Sequence, residues 1–300
     1  MGFRPFVHGL ATSLRLGGFV RNTPGGVLIE VEGGDAALDQ FAADLIDRAP
    51  APSIVEHCAI SSVPAVGESS FRIDGSDLRV PAGTVPRVPP DAATCADCLR
   101  ELFDPSDRRY RYPFITCTVC GPRLTIITGS PYDRERTTMS AFSMCAACRR
   151  EYDDPRQRRF HAESIACAAC GPQVRLVDRA GRAIDGEPFE MLAAALAAGR
   201  IAAVKGLGGY HLACDASNAG AVDALRTRKH RDEKPFAVMF ASLEDVEAVC
   251  ELDDAGRELL ASAARPVVIA RRANRAAAGA RGPAPETAPG RTLVGAMLPA

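Results

Sequence analysis

Cys95-Ala96-Asp97-Cys98 leads to Cys117-Thr118-Val119-Cys120-Gly121-Pro122, and 50 positions later Cys145-Ala146-Ala147-Cys148 leads to Cys167-Ala168-Ala169-Cys170-Gly171-Pro172. Both internal gaps are 18 residues, Asp104-Pro105 matches Asp154-Pro155, and Arg108-Arg109 matches Arg158-Arg159. The stretch is an internal repeat. A C-x-x-C turn sets two thiolates on one side of a metal, and a second such turn completes a tetrahedral set. Soft sulfur ligands in that geometry favour Zn²⁺. Four protein ligands leave no open coordination position, so two structural zinc sites are expected, with metal binding supplying much of the folding energy. Spacing leaves two pairings open: closure within each repeat, or nesting of the first pair with the fourth and the second with the third. Closure within each repeat is favoured.

Eight of the eleven cysteines fall in these pairs, which suits chelation in a reducing compartment better than a disulfide scaffold. Cys58, Cys214 and Cys250 are read as small buried hydrophobes. A thioredoxin-like dithiol does not explain four pairs at repeating intervals. Zinc ribbons often bind nucleic acid, so charge decides. The whole chain holds 36 basic and 37 acidic residues, a net charge of -1. Residues 95 to 172 hold twelve arginines and ten carboxylates, and two tetrathiolate zinc sites bring that stretch to -2. A nucleic-acid module normally shows a clear basic excess. No run of 18 apolar residues exists, and Met1-Gly2-Phe3-Arg4-Pro5 has no signal-peptide layout. The expectation is a soluble, cytoplasmic protein with neither membrane nor nucleic acid as partner.

Outward from the repeat, the expected class is a multidomain chain mixing α+β and α/β regions. Residues 1–84 form the first region. Gly17–Asn22 and Gly26–Glu32 read as strands across the turn Thr23-Pro24-Gly25-Gly26, Val55–Val63 and Phe71–Ile73 as further strands. Leu38, Phe41, Ala42 and Leu45 recur at helical spacing behind Asp35, a plausible N-cap. A Pro-rich connector, Pro81 to Pro90, precedes the zinc module at 85–180. In the third region, 181–300, helices are predicted over 189–198, 218–226, 242–249 and 254–261. Buried strands are predicted over 201–204 and 235–240, another strand over 266–270, and a mobile Ala/Gly/Pro/Arg-rich loop over 273–290. Only three of the 36 basic residues are lysine, and Lys205, Lys229 and Lys234 sit within 30 consecutive positions. Where arginine is the default cation, a retained lysine suggests a task for a compact ammonium, such as phosphate contact.

The cysteine string, together with Phe103-Asp104-Pro105, Arg111-Tyr112-Pro113-Phe114 and Cys117 to Arg123, resembles the zinc module of hydrogenase maturation carbamoyltransferases of the HypF type. Gly2-Phe3-Arg4-Pro5-Phe6-Val7 resembles the end of an acylphosphatase phosphate loop, and Gly18-Phe19-Val20-Arg21-Asn22 that family's asparagine strand. The likeness implies a ferredoxin-like fold in which Arg4 binds a phosphoryl group and Asn22 orients the attacking water. The first strand is expected before Gly2, so the domain is read as incomplete. Downstream, Lys205-Gly206-Leu207-Gly208-Gly209-Tyr210-His211 and Lys229-His230-Arg231-Asp232-Glu233-Lys234-Pro235 resemble the nucleotide-binding heart of YrdC-like domains. This implies that Lys205, Gly206, Gly208, Gly209, Lys229, Arg231 and Lys234 bind ATP and a carbamoyl group. His211 is expected as a packed strand residue. Gly295-Ala296-Met297-Leu298-Pro299 resembles a motif midway through such a domain, so the chain is read as an internal piece of a longer enzyme, without the family's C-terminal transferase domain.

The resemblance implies a reaction sequence. Carbamoyl phosphate is hydrolysed, the carbamate is adenylated with ATP and Mg²⁺, and the carbamoyl group passes to the C-terminal cysteine of a partner maturation protein. That group later becomes a cyanide ligand of [NiFe]-hydrogenase iron. Two rival classes stay open: a non-catalytic zinc-module scaffold, and a threonylcarbamoyl-adenylate synthase-like enzyme of tRNA modification.

Overall fold

Val7, Leu10 and Ala11 recur at the i, i+3, i+4 spacing of one helical face, and all three are buried in α1 (Phe3–Ser13). The computed structural model describes residues 2–50, 53, 55–77, 79, 89–206, 208–273 and 282–299. The chain divides into two compact units, Met1–Pro172 and Gln173–Ala300.

In the first unit, β1 (Gly17–Thr23) and β2 (Gly26–Glu32) form an antiparallel hairpin closed by Thr23 opposite Gly26. β3 (Phe71–Ile73) joins β1 in parallel, giving the order β2-β1-β3. Register puts Val20, Ile29, Val31, Phe71 and Ile73 on one face, where they meet Val7 and Leu10 of α1 and Phe41 and Leu45 of α2 (Asp35–Asp47). Burial of side chains this size contributes about 1.5–3 kcal/mol each. On the opposite face the Arg21 and Arg72 guanidinium groups lie 5.2 and 5.6 Å from the Phe19 ring centre.

Three expectations need correction here. Gly34, not Asp35, is the N-cap of α2, and Asp35 occupies the first turn. Residues 55–63 form no strand; Ile60 and Val63 stand exposed, so no apolar face is buried there to hold one. Cys58 is exposed rather than buried, whereas Cys214 is half-buried and Cys250 buried. The connector at 81–90 falls mostly outside the described residues.

The rest of this unit is the repeat, and its two copies fold alike residue by residue. Cys95 and Cys145 are the N-caps of α3 (Ala96–Phe103) and α4 (Ala146–Asp153). Arg111 and His161 then turn the chain back through the left-handed region, at φ 55° and 51°. Each turn is tied to its helix, Arg111 N–H donating to Leu102 at 2.8 Å and His161 N–H to Tyr152 at 3.0 Å. The apolar clusters are small and built around the cysteines themselves, with Tyr112, Ile115, Ile126 and Met139 in one and Ala162 and Ile165 in the other.

In the second unit α5 (Pro188–Ala197) is followed by Gly199 at φ 76°, and β4 (Ala202–Lys205) pairs with β5 (Tyr210–Ala213). β4 is largely exposed, which corrects the buried strand expected there. Asn218 caps α6 (Ala219–Lys229) by accepting from Ala221 N–H. β6 (Ala237–Met239), β7 (Cys250–Glu251), β8 (Val268–Arg272) and β9 (Leu293–Met297) make a mixed sheet of order β6-β9-β8-β7. Val238, Ala270, Val294 and Ala296 pack against Val246 of α7 (Leu243–Glu247) and Leu260 of α8 (Asp254–Ala261). Residues 274–281 of the expected mobile loop lie outside the described residues. The following stretch is held: Ala284, Thr287 and Ala288 are buried around a 3-10 turn at Pro285–Thr287, and Arg272 donates to the Pro283 and Ala284 carbonyls.

Candidate functional sites

The four thiols of each repeat lie together, Cys95, Cys98, Cys117 and Cys120 in one set and Cys145, Cys148, Cys167 and Cys170 in the other. This is closure within each repeat. Neighbouring sulfurs are 3.5–3.7 Å apart in the first set and 3.6–3.8 Å in the second. A zinc tetrahedron with metal–sulfur bonds of about 2.3 Å has sulfur–sulfur edges of about 3.8 Å. A disulfide needs about 2.05 Å, so the donor set fits a zinc ion and not a bridge. The titration chemistry agrees. Hydrogen bonds from Cys120 and Cys98 pull the Cys117 thiol down, and their hydrogen bonds to Cys117 push Cys98 up and Cys120 up to about 12. Burial pushes Cys148 up to about 12, while its own backbone N–H helps hold Cys145 at about 6. Four crowded thiols ionise together only around a cation.

The local sequence builds each cradle. In the repeated Cys-Gly-Pro, a Cβ on Gly121 (φ 94°) would meet Thr116 Oγ1 at 2.2 Å, and one on Gly171 would meet the Tyr112 hydroxyl at 2.1 Å. Only glycine lets the loop close. Arg123, buried, donates to the Cys117 and Cys120 carbonyls at 3.0 Å each.

A second layer crosses between the repeats, unforeseen from spacing alone. Arg108 and Arg109 of the first copy reach Cys148 Sγ of the second at 3.2 and 3.6 Å, and both bind Glu151. Arg158 and Arg159 of the second copy reach Cys98 Sγ of the first at 3.2 and 3.8 Å, and both bind Glu101. Arg109 Nε donates to the Ala166 carbonyl and Arg159 Nε to that of Thr116, at 2.9 Å in both copies. Burial alone would raise the Glu151 carboxyl, but Arg109 and Arg108 outweigh it and hold the group at about 2. Glu101 is lowered in the same way by Arg159 and Arg158, against its burial.

Arg4 lies in the first turn of α1, and its Nη2 is 2.7 Å from Glu163 Oε1 and 3.1 Å from Asp133 Oδ1. Tyr152 also donates to Glu163, at 3.0 Å, and burial pushes the Glu163 carboxyl up against the Arg4 charge. Asn22 sits at the far end of β1, opposite Val27. Among the described residues no hydrogen bond joins the Arg4 and Asn22 side chains.

In the second unit, Lys205 ends β4 with its ammonium 5.2 Å from the Tyr210 ring centre, and Gly206 N–H donates to the Gly209 carbonyl at 2.8 Å. His211 is exposed rather than packed in a core, its ring beside Gly206. Leu207 lies outside the described residues, and Gly208 is exposed. Lys229 ends α6, His230 turns through φ 47°, and Arg231 folds back to donate to the Lys234 and Pro235 carbonyls. None of the three lysine ammoniums has a carboxylate partner among the described residues. The organiser of this segment is Arg226, which sequence reading passed over. It is buried, stacks 4.7 Å from the Phe236 ring centre, and donates to the carbonyls of Arg231, Lys234, Glu286 and Thr287. Its only sequence signal was its place one turn before the Lys229–Pro235 motif.

No helix among the described residues is long and apolar enough to cross a membrane. Three family profiles match the chain: "Acylphosphatase" over residues 1–73, "HypF finger" over 94–127 and 144–177, and the Sua5/YciO/YrdC profile, described as "Telomere recombination", over 194–300. Carbamoyltransferase HypF2 of Cupriavidus necator is 48% identical over 100% of this chain, and carbamoyltransferase HypF of Synechocystis is 48% identical over 90% of it. The chain spans 37% and 35% of those two relatives. The crystal structure of full-length HypF in the phosphate- and nucleotide-bound form superposes with a TM-score of 0.91 at 41% identity, covering 99% of this chain and 38% of that one. That of T. kodakarensis HypF gives 0.87 at 43% identity, covering 99% and 37%. Together with the paired tetrathiolate clusters, these likenesses place the chain in the HypF family, over a little more than a third of its members' length.

Proposed function

We propose that this chain is the carbamoyl-activating part of a hydrogenase-maturation carbamoyltransferase working in the cytoplasm. The supporting observation is that one chain joins acylphosphatase-like, HypF finger and YrdC-type regions at 48% identity to HypF carbamoyltransferases. In this reading the regions divide as 1–84, 85–180 and 181–300. Arg4 and Asn22 serve the hydrolysis of carbamoyl phosphate to carbamate and phosphate. Glu163 and Asp133 both engage Nη2 of Arg4, and no hydrogen bond from Nε or Nη1 is made among the described residues, so those donors are offered to phosphoryl oxygens, a role that suits a guanidinium. The Asn22 amide positions water without titrating.

Lys205, Lys229, Arg231 and Lys234, with the backbone of Gly206, Gly208 and Gly209, bind ATP, its Mg²⁺ and the carbamoyl group. Carbamate oxygen attacks the α-phosphorus and pyrophosphate leaves, giving carbamoyl-adenylate. That the lysines have no carboxylate partner among the described residues supports this reading, since such an ammonium can offset phosphate charge. The carbamoyl group then goes to a cysteine sulfur of a partner maturation protein with release of AMP, a step for portions of the relatives with which this chain does not align. The two zinc ions are structural, because four thiolates fill each coordination sphere.

The test is carbamoyl-phosphate-dependent release of pyrophosphate from ATP, measured on the wild type and on Lys229→Ala. Activity is expected in the first and a loss of at least about 100-fold in the second, with zinc content unchanged. Wild-type turnover in Lys229→Ala would remove that lysine from the site. Turnover that requires threonine and bicarbonate instead would favour the tRNA-modification reading.

A further inference from the structure

The crossed arginines have no part in the chemistry above. Arg108 and Arg109 belong to the loop that the first cysteine set closes, yet their guanidinium groups touch a ligand sulfur of the second set. Arg158 and Arg159 reverse the arrangement. We propose that the two tetrathiolate centres are one coupled metal-binding unit, each holding in place the arginine pair that stabilises the ligands of the other.

Three observations carry this. The contacts are reciprocal at every level: sulfur, carboxylate and backbone carbonyl each recur at the 50-residue offset. The groups are shielded, Arg109 and Arg159 being 1% and 5% exposed in their side chains and Cys98 and Cys148 fully buried. The carboxylates are spent on orientation, since Glu151 and Glu101 each bind both arginines of the opposite copy.

A tetrathiolate zinc centre carries two negative charges in a poorly hydrated place. A charge-assisted N–H···S bond relieves that charge and fixes the orientation of the ligand. The loop supplying the donors spans the gap between two ligand pairs, so it is ordered only when its own centre is filled. Filling one centre therefore preorganises the outer layer of its neighbour. Coupling of this kind is reciprocal by thermodynamic necessity.

The experiment uses the zinc-loaded chain under challenge by a strong chelator. Timed alkylation and peptide mass spectrometry follow the eight thiols separately. Arg158→Ala lies in the second repeat, but the first set, Cys95, Cys98, Cys117 and Cys120, is expected to react about 10- to 100-fold sooner, the range for loss of an outer-layer partner. The initial rate at Cys145, Cys148, Cys167 and Cys170 should stay near wild type. Arg108→Ala should give the mirror image, and it decides the matter if Arg158→Ala does not fold. A merely structural arginine would disturb its own repeat first. That result, equal acceleration of both sets, or no acceleration would overturn the proposal.

Discussion

Arg226 answers the backbone carbonyls of two separate segments, Arg231–Lys234 and Glu286–Thr287, with one buried guanidinium. Arg226→Ala would leave those acceptors without donors in a region closed to water. Loss of buried hydrogen bonds to a charged group costs about 2–4 kcal/mol in all, to be read by denaturant unfolding of the second unit. Arg226→Lys should recover little, because an ammonium cannot reproduce the planar fork. His161 gives a pH signature to the other unit. Its ring sits 4.9 Å from Tyr152 and 4.6 Å from Phe160, and burial, then the nearby Arg4 and His8, holds its pKa down at about 4. The unfolded chain takes up that proton near pH 6.5 and the folded one resists it. Stability is therefore full above about pH 6.5 and falls toward pH 4, with a slope of at most about 1.4 kcal/mol per pH unit from this group. Asparagine tolerates the left-handed backbone there, so His161→Asn should flatten the slope in urea titrations held in excess zinc. An unchanged slope would assign the effect elsewhere.

At the level of elements, the cysteine loops stand or fall with their metal. Cys117→Ser should lose close to one zinc per chain and lower the unfolding midpoint, both measurable by metal analysis and thermal melting; an unchanged metal count would refute the assignment. The same loops show what could be read beforehand. Four ligands at fixed spacing are a local pattern, as is the hairpin across Thr23–Gly26, because turn chemistry and ligand geometry act over a few residues. Val7, Leu10 and Ala11 carry the helical period of α1, but the likeness of Arg4-Pro5 to the end of a phosphate loop points away from a helix there. The strand expected at 55–63 does not form: Ile60 and Val63 are exposed, and strand composition without a buried face does not make a strand. β4 has strand composition and forms a strand, yet burial could not be inferred from apolarity alone. Arg108-Arg109 and Arg158-Arg159 were visible as repeated words. Their crossing was not, because it depends on how the two copies face each other.

For the molecule as a whole, stability has two different sources. All eight thiol ligands fall within Met1–Pro172. In the other unit, Val238, Val246, Leu260, Val294 and Ala296 form an apolar core, and no cluster of metal-ligating side chains lies there among the described residues. Chelation followed by amide hydrogen exchange should therefore strip protection from residues 95–172 and leave that of β6, β8 and β9 as it was. Loss of protection in both places at the same rate would show that zinc underwrites the entire chain.

The reciprocity of the repeat also has a consequence for its ancestry. Position 109 meets position 151 while 159 meets 101, and 108 meets 148 while 158 meets 98. Such exchange is the rule of an isologous interface, where residue i of one subunit touches j of its twin and j touches i. A single copy on its own would present arginines, a carboxylate and an accessible thiolate that a second copy of itself could satisfy. Duplication that joined such a homodimer into one polypeptide would make a concentration-dependent association permanent.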